Sequence, residues 1–160
     1  MNDAKIRSEL VRLLSGHGAH ISFDDAVKGF PLERAGNRIS GVEHTMWGLV
    51  YHMQLVQNDI LEFIRNPDHV SPEYPHGYWP KADAPEERAE WNNTVEQFRT
   101  EMAEMQALVS DTSQDLYTPF PHGNGQTLFR EAVVLADHNS YHVGQIVDLR
   151  MLLSVPVRDW

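Results

Sequence analysis

The chain has 160 residues, no cysteine and a formal net charge of −10, from 13 basic and 23 acidic residues. That length suggests one domain with a single core, expected to span residues 1–160. The lack of cysteine excludes disulfides, thiolate metal sites and a cysteine nucleophile, and the acidic balance with scattered Lys and Arg argues against a nucleic-acid partner.

The opening, MNDAKIRSEL, is polar and has no signal-peptide pattern. Apolar positions at Ile6, Leu10, Leu13 and Leu14 predict a first helix over about residues 3–15, with Gly16 as its stop. A short helical turn is expected near 23–28. The second long helix should run from the low forties to Arg65, with Ser40 and Glu43 at capping-box spacing and Met46, Leu49, Met53, Val56, Ile60 and Phe63 as its stripe. Asn66-Pro67 ends it. A connection of about 20 residues rich in Pro and aromatics follows, longer than a helical hairpin needs, and its tyrosines and Trp79 are expected to dock on the surface.

The third long helix is expected after Asp83, paired at capping-box spacing with Glu86, with Trp91, Val95, Phe98, Met102, Met105 and Val109 on one face. The fourth follows Thr127, with Leu128, Ala132, Leu135, Asn139, His142, Ile146, Leu149 and Leu153 as its stripe. Repeats near 3.5 residues predict an all-α fold, a four-helix bundle. The long connection can return along the whole bundle, so helices two and three can run parallel, giving an up-down-down-up order. No apolar run approaches the roughly 20 residues that span a bilayer. A cytoplasmic protein with no membrane partner is expected.

The last stripe is broken by Asn139 and His142, and His138 lies one turn from His142 on the same side. Burying imidazole without a partner is unfavourable. A single core histidine is ordinarily just hydrogen-bonded. Two at i, i+4, with His52 flanking the stripe of another helix, instead suggest a metal held by His52, His138 and His142, with an open coordination position. His44 lies eight residues before His52, too far along the axis to share that ion. His17, His20, His69, His76 and His122 read as loop or surface residues.

Other metal and catalytic patterns fail. Asn139 stands where the H-E-x-x-H motif needs its glutamate, and there is no phosphate loop or G-x-S-x-G elbow. Among the carboxylates, Glu131 could line a pocket or form a helix salt bridge. Asp59 and Asp137 could orient ligand histidines or simply be solvated.

The stretches HTMWGLVYHMQLVQNDILEFIRNP, YWP and LFREAVVLADHNSYHVGQIVDLRMLL together resemble the DinB-like superfamily, which includes YfiT-like metal-dependent hydrolases. The resemblance covers about residues 40–153 and is carried by Trp47 with His52 and the terminal H-x3-H. The ending SVPVRDW departs from the Gly-Trp expected after the last helix. The resemblance implies a bundle with a long crossover and a divalent ion, commonly nickel or zinc, on His52, His138 and His142. It also implies a homodimer and either thiol transfer to an electrophile or hydrolysis of a small molecule. With no cysteine in the chain, a low-molecular-weight thiol would be a cosubstrate. Trp47 and Glu131 are the candidates to line a substrate pocket. The alternative is a non-catalytic small-molecule-binding or structural dimeric protein.

Overall fold

A computed structural model describes residues 3–157. The described residues form helices and loops, with no strand among them: α1 (Asp3–Leu14), α2 (Phe23–Val27), α3 (Met46–Arg65), α4 (Arg88–Ser110) and α5 (Leu128–Leu152). Short 3-10 turns cover Leu32–Arg34 and His76–Tyr78. Residues 154–157 of the C-terminal segment are described, and 158–160 lie outside the described residues.

The helix boundaries follow local chemistry. Gly16, at φ +68°, closes α1 by donating its N–H to the Leu13 carbonyl. The Ser22 hydroxyl caps α2, and the Thr127 hydroxyl caps α5 by accepting the Arg130 N–H at 3.1 Å. The two expected capping boxes in the middle of the chain do not form. Gly41 adopts φ +82°, so the chain turns after Ser40 and α3 starts later, at Met46. There the Thr45 hydroxyl accepts the Gly48 N–H at 3.0 Å and donates to the Asp83 carbonyl at 2.7 Å. Asp83 is unavailable as a cap because Arg38 holds its carboxylate, Nε to Oδ2 at 2.7 Å. The helix α4 begins after Glu87 without a side-chain cap.

Helix α3 packs against α4 and α5, α1 packs against the same two helices, and α2 packs on α5. Contacts between α3 and α4 advance in step: Trp47 with Trp91, Gln54 and Asn58 with Glu101, Arg65 with Glu104. Contacts between α3 and α5 run the opposite way, His52 beside His142 and Gln57 beside Asn139. One apolar cluster gathers Trp47, Met53, Trp91, Phe98 and Ile146, and another gathers Leu10, Leu61, Met105, Leu128 and Leu135. Met102 packs against both.

Two buried arginines tie helix ends together. Arg7 donates to the carbonyls of Val109, Asp111 and Gln114 at 2.7–2.9 Å, answering acceptors that α4 leaves open at its C-terminus. Arg150 does the same for Ala26 and Lys28 at the end of α2 and for Val155 after α5. No described helix is long and apolar enough to cross a membrane.

Candidate metal centre

His52 comes from the middle of α3, and His138 and His142 from one face of α5. Each offers one ligand nitrogen, and the three nitrogens lie within 4.8 Å of one another. His52 and His142 are buried and His138 is half-buried. His52 Nε2 and His138 Nε2 are 3.0 Å apart. Tetrahedral ligands at about 2.0–2.1 Å would sit roughly 3.3 Å from one another. The rings are therefore close to the separation a shared ion requires.

Hydrogen-bond polarity assigns the proton on two of the rings. His52 Nδ1 lies 3.0 Å from the Tyr78 carbonyl, which can only accept, so the neutral ring carries its hydrogen there and leaves Nε2 bare. His142 Nδ1 donates in the same way to Gln145 Oε1 at 2.6 Å. Such outer donations, to a carbonyl in both cases, are what orients metal-ligating histidines. His138 Nδ1 is buried with no hydrogen-bond partner among the described residues. Its Nε2 must either donate to His52 or, with a cation between them, present a lone pair as the other two do.

The electrostatics favour the neutral, ligating form. Burial pushes His52 down to about 4, opposed by its bond to the Tyr78 carbonyl and assisted by His142 and His44. Burial, with His142 and His52 beside it, also pushes His138 down to about 4. His142 is lowered too, by burial first, against its bond to Gln145. At neutral pH all three rings are deprotonated, the state a divalent ion needs.

The rings open onto a cavity of about 860 Å³, within the range of small-molecule sites. Trp79, from the long α3–α4 connection, forms part of its wall. Its indole lies flat between His52 at 3.9 Å and His44 at 3.7 Å, which fixes the His52 ring plane. The neighbouring Tyr78 donates its hydroxyl to Asp59 Oδ2, and His69 Nε2 meets Asp59 Oδ1, each at 2.7 Å. Asp59 therefore acts on His52 indirectly, by anchoring the residue whose carbonyl orients it. On α5, the Gln145 amide nitrogen donates to Tyr141 Oη at 3.2 Å. Gln145 spends its carbonyl on His142, so the phenol oxygen accepts and the Tyr141 hydrogen is left to point elsewhere.

The expected place of Trp47 in the cavity wall is corrected, while Glu131 and Asp137 take the salt-bridged and solvated alternatives that the sequence left open. Trp47 does not line this cavity. It is 1% exposed and packs on Tyr51 and Trp91, because its face of α3 meets the core. Glu131 sits two turns before His138, buried in an ion pair with Arg130 and outside the cavity. Asp137 is exposed and does not reach His138, whose Nδ1 has no hydrogen-bond partner among the described residues. Sequence reasoning missed Tyr78, Gln145 and Tyr141. Gln145 had a readable signal, three residues after His142 on the same helix. Tyr78 acts through its backbone carbonyl, which leaves no side-chain signature.

These helices and this cluster define a class: an all-helical protein with three imidazoles converging beside a ligand-sized cavity. The chain belongs to the DinB superfamily, whose family model matches residues 19–146. Comparison with curated proteins and with solved structures found no match.

Proposed function

We propose that the protein is a metal-dependent enzyme in which His52, His138 and His142 hold one divalent ion, nickel or zinc, on a single face. The observation that carries this reading is the convergence of three neutral imidazoles, two of them with Nδ1 tied to a carbonyl and Nε2 left bare. An ion held by three histidines keeps a position for a small ligand, and when bound it would lower the pKa of a thiol or water placed there. The chain's own residues hold and orient: Trp79 fixes the His52 ring, Gln145 the His142 ring, and Tyr141 offers an O–H toward a substrate. Asp59, the carboxylate linked to His52, is already taken by Tyr78 and His69. Asn139, beside His138, stands where the H-E-x-x-H motif carries its general-base glutamate, which favours thiol transfer to an electrophile over peptide-type hydrolysis.

The α3–α4 contacts support parallel helices and the up-down-down-up bundle, as one domain. A homodimer belongs to the same reading.

The test is metal stoichiometry after mild purification, across alanine variants of His52, His138, His142, His44 and His122, with circular dichroism confirming the fold. The first three should lose metal by orders of magnitude in affinity. The other two should match the parent, because His44 is stacked behind Trp79 and His122 bonds the Phe63 carbonyl. Five indistinguishable variants would remove the basis for an enzyme. Metal-loaded protein should then be screened with thiol plus electrophile and with esters and amides. Full metal with no turnover would leave a binding protein.

A further inference from the structure

We infer that the cavity beside the three imidazoles takes a small organic cation, an amine or quaternary ammonium compound, and rejects ligands with more than one anionic group. This rests on the reading of that cavity as a ligand site. Two free carboxylates line it. Asp148 is exposed, with no described side chain pairing with it, and Glu43 is exposed, its carboxylate 3.7 Å from His44 Nε2 and its backbone carbonyl 3.4 Å from Arg38 Nη1. Two phenol rings line the same cavity with little cover, Tyr74 at 84% exposure and Tyr141 at 64%. Aromatic faces and carboxylates together attract a cation from opposite sides of its hydration shell.

The same wall offers an anion phenol hydroxyls and imidazoles but no cationic side chain. No lysine or arginine is among the described residues lining the cavity. Arg38 and Lys81 lie in the adjoining groove, outside this wall, and the Arg38 guanidinium is spent on both Asp83 oxygens and the Glu43 carbonyl. An ion on the imidazoles could receive one anionic group. A second would meet Glu43 and Asp148 in place of a partner. If a thiol is the cosubstrate, an aminothiol matches this wall and a multiply acidic thiol does not.

The experiment uses a matched series at about 0.15 M salt, where distant charges are screened. Benzyltrimethylammonium, benzyl alcohol and phenylsuccinate are titrated by calorimetry into the full chain, both metal-free and zinc-loaded. In the metal-free form the cation should bind best and phenylsuccinate worst, and zinc loading should help phenylsuccinate through one carboxylate only. Asp148→Asn should weaken the cation roughly three- to fivefold, the scale of an exposed charge or cation–π contact, while Glu9→Gln on the exposed face of α1 should not. Phenylsuccinate binding best to the metal-free chain, all three failing to bind, or equal effects of the two substitutions would overturn the inference. Zinc stoichiometry, measured separately, decides the metal reading: cation binding without zinc binding sinks that reading alone, and zinc binding with anion preference in the metal-free chain sinks this one alone.

Discussion

At the residue scale, the site depends on how its imidazoles are aimed. Tyr78→Phe keeps the carbonyl that orients His52 but releases its residue from Asp59. Zinc affinity should fall by about 10–100-fold, the usual effect of losing such support, with the fold unchanged. Competition against a chelator of known affinity measures it, and Asp59→Asn should have a similar effect. An unchanged affinity in both would show that the Trp79 stack alone fixes the ring. The pH response has a definite sign. Ordinary histidine titrates near 6.5, while His52 and His138 are held down to about 4. Between these values the unfolded chain binds more protons, so metal-free protein loses stability as pH falls from about 6.5 toward about 4. Buried Glu101 and Glu131 are raised and act in the opposite direction. A double His52→Leu, His138→Leu variant should therefore show a shallower loss of Tm between pH 7 and 5. An identical slope would contradict the buried, neutral pair.

At the element scale, helix ends are held by side chains distant in sequence. Arg7 lies more than 100 residues from the carbonyls it serves in the last turn of α4 and just beyond it. Arg7→Ala should cost about 2–4 kcal/mol, since it strands buried acceptors. Arg7→Lys should recover only part of this, because an ammonium cannot spread three donors as a guanidinium does. Urea unfolding followed by helical ellipticity reads both. Among the described residues, the carboxylate of Glu101, in the α3–α4 seam, is answered only by the amides of Gln54, Gln57, Asn58 and Gln97. Burial raises its pKa against those bonds. Both features depend on which helix ends and faces meet.

At the scale of the whole molecule, the proposed homodimer predicts a species of twice the 18.3 kDa chain mass in sedimentation at micromolar concentration. Only monomer at that concentration would count against it. The α3–α5 interface carries the imidazoles, and the long α3–α4 connection carries the residues that close over them. A shortened connection lacking Tyr78 and Trp79 should leave the helices folded but lower the metal affinity, because the His52 ring loses both its carbonyl and its stacking partner.

The periodicity of the chain determined its helices, and the i, i+4 spacing of His138 and His142 placed two rings together by the pitch of α5 alone. The whole α5 stripe, from Leu128 to Leu153, is buried as read. The α3 stripe was too narrow: Trp47, Val50, Gln54, Gln57 and Leu61 are buried as well. A helix packed between two neighbours buries more than one face, and one-face periodicity does not reveal that. Capping spacing alone misplaced the starts of α3 and α4, since Gly41 and Arg38 settle those ends through backbone conformation and a distant ion pair. His52 meets its partners only because α3 packs on α5. The Tyr78 carbonyl reaches His52 only because a loop folds back, and a backbone acceptor is the same in every residue until the chain decides where to put it.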